Sequence, residues 1–469
     1  MHPPKIPVMN NLFIHPSSFK DPAGFIFCAD GLFYRQINQS NAADYELLVS
    51  SGLYEKLVKL KLLLHHTETN SIKANAANWY KTLLPEQLPF IAYPYEWSFN
   101  QLKDAALLTL RIQKEALQHG MSLKDATPFN VQWQNGKPVF IDTLSFEKYN
   151  EGEPWVAYKQ YCENFLAPLV LMKYCHAELN KLLLPYPAGI PLPVVSSLLP
   201  LKTKFNIGIY LHIHLQAKYQ KNQSGDASAS KRRLKLTQQI NILDNLTGII
   251  NKLQPLKEKT TWNNYYEETI LSKGYLQEKE ILVKNFLSSL TFKTVADLGA
   301  NTGEFSLLAA PFAEKVIAAD FDADCINNLY LSIRKNKIKN VFPIVLNVVN
   351  PTPAIGWANT ERSSFWERAN ADVIMALALI HHLVISANVT LEMIAALLQK
   401  KCNYLIIEFV PKSDPKVQQL LSYRKDVFAD YDETNFEKIF AHYFHIERKT
   451  IIPNTQRSLF LMKKINNNV

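Results

Sequence analysis

The residues best placed to do chemistry begin at D-L-G-A-N-T-G, Asp297 to Gly303, which follows an apolar run and opens a helical pattern. Glycines at such a junction let the backbone turn sharply and approach a ligand closely. A dinucleotide site asks for G-x-G-x-x-G, so that a helix N-terminus can hold a pyrophosphate. Here Glu304 and Phe305 follow Gly303, and no third glycine stands in that register. Asp297 precedes the first glycine by two positions, where a carboxylate suits a cation such as an amino group. Asp320 ends the next apolar run, about twenty residues after that glycine, where an acid accepts both hydroxyls of a ribose. Asn347 ends the third run, and its amide can bond an adenine edge. The fourth run leads into A-L-I-H-H, Ala378 to His382. Imidazole titrates near neutral pH, so His381 or His382 is the candidate general base. Glu408, near the end of the fifth run, is a weaker one.

A second constellation lies far upstream, in D-A-T-P-F-N-V-Q-W-Q-N-G-K-P-V-F-I-D. Asp125 stands five residues before Asn130, and Asp142 twelve residues beyond that. With this spacing the first acid orients or deprotonates a hydroxyl, while the amide and the second acid hold magnesium against phosphates.

The elements that must position these residues differ between the two ends of the chain. From about residue 280, apolar strands alternate with helices: T-V-A-D-L-G, K-V-I-A-A-D, F-P-I-V-L-N, A-D-V-I-M-A-L and Y-L-I-I-E-F. Each run is apolar enough to be buried on both faces, which predicts a doubly wound parallel sheet with ligands at its carboxyl edge. The segments 444–450 and 457–463 can pair as an antiparallel hairpin at one edge. Upstream, residues 24–37 read as a hairpin around Ala29-Asp30-Gly31. A helical pattern then runs from Asn41 through Leu60, a short strand over 89–94, a helix over Gln101–His119, and an apolar helix from about Trp155 to Leu184. Proline-rich residues 185–193 break that helix, and the polar stretch 220–230 reads as a linker. The aromatic cluster Trp262, Tyr265, Tyr266 and Tyr275 serves as core or as a lid.

A chain of 469 residues is too long for one ordinary core, so two domains are expected. No apolar run approaches the roughly 20 residues of a membrane span, and no signal-peptide core opens the chain, which points to the cytoplasm. The five cysteines lack C-x-x-C spacing, so neither a disulfide framework nor a metal site is expected. Of the net charge of +9, residues 201–260 supply 11 Lys/Arg against 3 Asp/Glu, hence 11 − 3 = +8. That segment reads as a solvated connector or as a surface for nucleic acid, anionic lipid or an acidic partner.

The stretch from about 280 to 465 resembles a class I S-adenosylmethionine-dependent methyltransferase, with a Rossmann-like α/β fold. The resemblance rests on D-L-G-A-N-T-G, on the acid ending the second strand and on the strand pattern. Asn301 replaces the middle glycine of that family's acid-x-G-x-G-x-G motif, and Asn tolerates unusual backbone angles. The resemblance implies that Asp297 meets the methionine part of the cofactor. It places Gly299, Asn301 and Gly303 against the cofactor, Asp320 on the ribose and Asn347, where the family has an acid, near the adenine.

Residues of about 20–215 resemble the kinases, most closely an α+β aminoglycoside-phosphotransferase-like fold, which implies Mg2+ and ATP if the site is live. Leu123 stands where that family has His, no glycine follows Asp142-Thr143-Leu144, and Arg35 replaces the phosphate-binding lysine, with Glu46 as its expected helix partner. Across nearly the whole chain, G-M-S-L-K-D-A-T-P-F-N, F-I-D-T-L-S-F-E, A-L-A-L-I-H-H-L and I-I-E-F-V-P-K-S-D-P resemble a family of bacterial two-part proteins described as methyltransferases or nodulation-protein relatives.

The expected organisation is therefore a kinase-like domain over 1–215, a basic linker and helical connector over 216–279, and a methyltransferase domain over 280–469. The expected acceptor is a small molecule or saccharide, with protein and nucleic acid left open. The rivals are a bifunctional methyltransferase and phosphotransferase, and a non-catalytic pair of binding modules.

Overall fold

The computed structural model describes residues 12–222, 233–256, 273–422 and 425–466. The chain divides into two compact units, Met1–Leu256 with Ala354–Ser363, and Lys257–Pro353 with Ser364–Val469.

In the first unit, β1 (Phe13–Ile14), β2 (Gly24–Ala29), β3 (Leu32–Asn38), β4 (His66–Thr69) and β5 (Trp79–Pro85) form an antiparallel sheet of order β1-β2-β3-β5-β4. The β2–β3 turn is the tight one its sequence predicts, with Asp30 and Gly31 both at positive φ. The helical pattern after β3 divides into Ala42–Ser50 and Leu53–Lys59, because Gly52 takes a left-handed conformation between them. No strand forms over 89–94. Pro89 and Pro94 have no N–H to give a ladder, and the backbone N–H and C=O of Ala92 pair instead with the Gln132 side chain at 3.1 and 3.0 Å.

The helix Phe99–Gln118 forms as its spacing predicts, burying Leu102, Ala105, Leu108, Ile112 and Ala116. Two small ladders follow it: β6 (Met121–Leu123) with β9 (Phe146–Lys148), and β7 (Val131–Gln134) with β8 (Lys137–Phe140). The apolar helix expected from Trp155 to Leu184 is broken into Tyr158–Tyr161, a π-turn Cys162–Leu166, Ala167–Tyr174 and a 3-10 turn Leu179–Leu183. Pro168 explains the π-turn: it has no N–H for the carbonyl of Asn164, and its ring needs that carbonyl pushed aside. The helix Leu236–Lys252 lies on Phe99–Gln118, where Lys103 Nζ donates to the carbonyls of Asn251 and Leu253 at 3.0 and 2.7 Å. The compact unit therefore extends past residue 215, its expected end, to Leu256.

The second unit is built on β10 (Thr294–Leu298), β11 (Lys315–Asp320), β12 (Val341–Val345), β13 (Val373–Ala376), β14 (Tyr404–Phe409), β15 (Phe444–Ile451) and β16 (Ser458–Lys464). Their order is β12-β11-β10-β13-β14-β16-β15. The first five pair in parallel, and β16 runs antiparallel between β14 and β15. This is the doubly wound sheet with an antiparallel edge hairpin that the sequence predicts. Its five parallel strands are continuous apolar runs because helices cover both faces; Val295, Val316, Ala318, Val373, Met375 and Ile406 lie in one buried cluster. The strand order reverses between β10 and β13, which leaves a crevice at their carboxyl ends. Among the described residues, no helix is long and apolar enough to cross a membrane.

Candidate functional site

The crevice at that switch point is a cleft of about 420 Å³, lined in part by Asp297, Gly299, Asn301, Asp320, Asn347 and His382. Six sequence-predicted residues, from four separate segments, thus share one cavity. The loop after β10 is held on its neighbour: the N–H groups of Gly299 and Ala300 both donate to the Ala319 carbonyl, at 2.9 and 3.0 Å. Gly299 and Gly303 have φ of +77° and +88°, and a Cβ on Gly303 would stand 2.3 Å from Leu329 Cδ1. Any other residue there would take a strained φ and push aside Leu329, on the helix Ala323–Asn336, at the N-cap of the helix Glu304–Ala309. Asn301 takes φ 49°, the left-handed conformation that asparagine tolerates, and its carboxamide oxygen accepts the Thr302 N–H at 2.7 Å.

Asp320 is fixed by that loop. Its two carboxylate oxygens accept the N–H groups of Asn301 and Asp322, each at 2.8 Å. Burial pushes its carboxyl up to about 6, against the pull of those N–H groups. Asp297 lies deeper and accepts the Ser306 hydroxyl at 2.6 Å. Burial drives its carboxyl up to about 6 as well, with the Ser306 hydrogen bond and the Lys279 charge opposing the rise. Asn347 lies on the cleft wall just past β12, its carboxamide oxygen accepting the Val349 N–H at 3.0 Å.

The two histidines part company. His381 is fully buried, and neither ring nitrogen has a hydrogen-bond partner among the described residues. Burial, with His382, Arg457 and Lys279 nearby, holds its imidazole well below the usual range, so it is neutral. His382 lines the cleft, its ring centroid 4.1 Å from that of His381. Burial first, then Arg457 and Lys416, bring it down to about 4. An apolar cavity of about 360 Å³ adjoins this side of the cleft and shares Leu379 and Leu383 with it. His382 is therefore an uncharged imidazole at neutral pH. Ala378, at the end of β13, has φ 50°, a conformation costly for alanine; it too lines the cleft.

Sequence spacing did not reveal the charge network under the cleft. Glu408 receives Lys279 at 2.5 Å, Arg457 at 3.1 Å and the Tyr275 hydroxyl at 2.7 Å. Arg457 also pairs with Asp414 at 2.7 Å. Burial alone would raise the Glu408 carboxyl, but Lys279 and Arg457 bring it down to about 2. Glu408 is thus a structural counter-ion. Tyr275 and Lys279 themselves line the cleft, so the helix Lys273–Ser288 supplies one wall. Trp262, Tyr265 and Tyr266 of the aromatic cluster lie outside the described residues; Tyr275 is buried.

In the first unit, Asp125, Asn130 and Asp142 also come together. The Asn130 amide donates to Asp125 Oδ2 at 3.2 Å and to Ser145 Oγ at 3.1 Å, and the Ser145 hydroxyl donates to Asp142. Gln160 donates to Asp125 at 2.7 Å. Burial and the Asp142 charge raise the Asp125 carboxyl, against the hydrogen bonds it receives. The β7–β8 ladder spans the gap between Asn130 and Asp142. Arg35 does not pair with Glu46. It holds Asp142 at 2.6 Å, while Glu46 takes Tyr80 and Lys81. Among the described residues, no group of three or more His, Cys, Asp or Glu is arranged to hold a metal ion.

No protein-family model matches the sequence. The chain is 32% identical, over 464 residues, to the nodulation protein NoeA of Rhizobium meliloti (strain 1021), covering 95% of each chain. It belongs to the NoeA family. Both units lie within that match. Solved structures with some likeness include the N-methyltransferase NodS from Bradyrhizobium japonicum WM9, at 11% identity, 41% of this chain, 98% of that one and a TM-score of 0.31. The magnesium protoporphyrin IX methyltransferase ChlM from Synechocystis PCC 6803, with bound SAM, gives 15%, 44%, 89% and 0.32. WbdD gives 18%, 43%, 42% and 0.30. These likenesses are too slight to fix an activity for a NoeA-family chain, which must be read from its own cleft.

Proposed function

We propose that this chain is an S-adenosylmethionine-dependent methyltransferase, with the cleft of the second unit as its cofactor site. The observation that carries the reading is the placement of two buried carboxylates, Asp297 and Asp320, around a loop that requires glycine at the switch point of the sheet. The residues present fit the cofactor. Asp320 supplies acceptors for the ribose hydroxyls, and Asp297 supplies a negative charge for the methionine ammonium. Gly299 and Asn301 on the cleft wall let the backbone come close, Gly303 makes room for Leu329 beside the loop, and Asn347 is assigned to the adenine. The cofactor, when bound, supplies an electrophilic methyl group for an in-line displacement. His382 is the group on the cleft wall that takes the acceptor's proton. His381 packs beneath it and keeps its ring in place.

The first unit is read as a kinase-like module that recognises or presents the acceptor. Support comes from the ladder pairs β6–β9 and β7–β8, which set Asp125, Asn130 and Asp142 in the order kinases use. The Arg35–Asp142 ion pair argues against phosphotransfer, because it engages the carboxylate that magnesium would need. The acceptor is a small molecule or a saccharide, with a protein or nucleic acid as the broader alternatives, and the setting is cytoplasmic. Binding of labelled S-adenosylmethionine to the purified full chain tests the reading, and Asp297→Asn should weaken it on the order of tenfold or more. A chain that binds no S-adenosylmethionine would be the non-catalytic binding protein of the rival reading.

A further inference from the structure

The stretch L-L-P-L-K-T-K-F-N-I, Leu198 to Ile207, turns its chemistry inside out. The 3-10 turn Leu201–Phe205 buries its one hydroxyl residue and exposes its apolar ones. Thr203 is buried, bonded to the Pro200 carbonyl at 2.7 Å and to His214 Nε2 at 2.9 Å; His214 is held in turn by Ser196 at 2.8 Å. Asn206 caps the next turn through the Ile209 N–H at 3.1 Å. The turn is thus firmly anchored from within. Outside, Leu201, Phe205 and Ile207 are 72%, 88% and 76% exposed. Leu198 and Tyr219 are exposed as well. Scattered single apolar residues need no explanation, but three so open within seven positions do.

The charge around them has one sign. No Asp or Glu occurs between Glu178 and Asp226, whereas Lys181, Lys202, Lys204, Lys218 and Lys221 do. Lys202 and Lys204 alternate with the apolar residues along the turn and are exposed. Lys218, in the helix Leu215–Asn222, is exposed as well.

We propose that the Leu198–Ile207 turn docks the protein peripherally on an anionic lipid bilayer, with Leu201, Phe205 and Ile207 entering the headgroup–acyl boundary and Lys202, Lys204 and Lys218 facing lipid phosphates. Exposed apolar side chains interleaved with exposed lysines match such a surface on both counts. Two other partners fit less well. Single-stranded nucleic acid asks for several aromatic rings on which successive bases stack, and the turn has one, Phe205. A second copy of the same face would bring lysines against lysines. The inference is independent of the methyltransferase reading, since it rests on the first unit alone.

Sedimentation of the full chain with vesicles tests it. The chain should sediment with phosphatidylcholine vesicles that contain phosphatidylglycerol, and far less with phosphatidylcholine alone. A combined Leu201→Ser, Phe205→Ser, Ile207→Ser variant should lose at least about tenfold in partitioning, with an unchanged circular-dichroism melt because Thr203 and its anchor remain. Lys202→Gln with Lys204→Gln should lose on the order of tenfold, and added salt should weaken the wild-type chain toward that level. The proposal is overturned if wild-type chain ignores anionic vesicles, or if the serine variant binds them as well as wild type. It is equally overturned if those serines instead dissolve a wild-type dimer or abolish RNA binding in a chain that does not bind lipid.

Discussion

At the residue scale, the cleft sets two pH dependences of opposite sign. Asp297 and Asp320 both titrate near 6, raised by burial. The ligand-free fold gains from their protonation; that contribution is complete below the ordinary carboxylate range near 4 and is lost as pH rises through about 6. On the proposed reading, cofactor binding needs them ionised. The gain in melting temperature caused by S-adenosylmethionine should therefore shrink as pH falls from about 7.5 to about 5, and Asp320→Asn should flatten the part that Asp320 contributes. Glu408 behaves the other way. Its folded carboxyl is at about 2, so its stabilisation is present at neutral pH and is lost only as pH falls from the ordinary carboxylate range toward 2. Glu408→Gln leaves Lys279 and Arg457 buried without their shared counter-charge. It should cost about 3–5 kcal/mol, read by denaturant unfolding. Sequence placed Glu408 at the right strand end but as a candidate base. The partners that make it a counter-ion lie far away in the chain, Tyr275 and Arg457 being 182 positions apart, and no spacing rule reaches that far.

At the scale of elements, the legible parts were those whose signal is local. The five parallel strands stood out because each is a continuous apolar run, and the Asp30-Gly31 turn because its backbone needs positive φ. Residues 89–94 looked like a strand for the same apolar reason, yet two prolines and the reach of Gln132 left it unpaired. The Trp155–Leu184 run was helical in pattern, but Pro168 forced a π-turn within it. The loop Gly299–Gly303 was legible as a sharp glycine turn; that Leu329 fills the space beside Gly303 was not. Gly303→Ala combines an unfavourable φ with that overlap. It should destabilise the second unit by more than about 1 kcal/mol and abolish measurable S-adenosylmethionine binding, checked by thermal melting and equilibrium dialysis.

At the scale of the whole molecule, the question is which unit does the chemistry. Both were legible as candidate sites, since Asp125, Asn130 and Asp142 do cluster, as do the residues around Asp297. What sequence could not supply is the Arg35–Asp142 ion pair, which joins a strand of the N-terminal sheet to a loop more than a hundred positions later. With Asp142 so engaged, titration of the full chain with ATP and magnesium should give no binding heat; magnesium-dependent heat that Asp142→Ala removes would establish the bifunctional reading instead. The central claim rests on the other unit and has a more direct test. Isothermal titration of the full chain with S-adenosylmethionine should show one saturable site, and Asp320→Ala, which takes away the ribose carboxylate and releases the Asn301 N–H, should weaken it by about ten- to a hundredfold. No binding by the wild-type chain, or equal binding by the variant, would contradict the account.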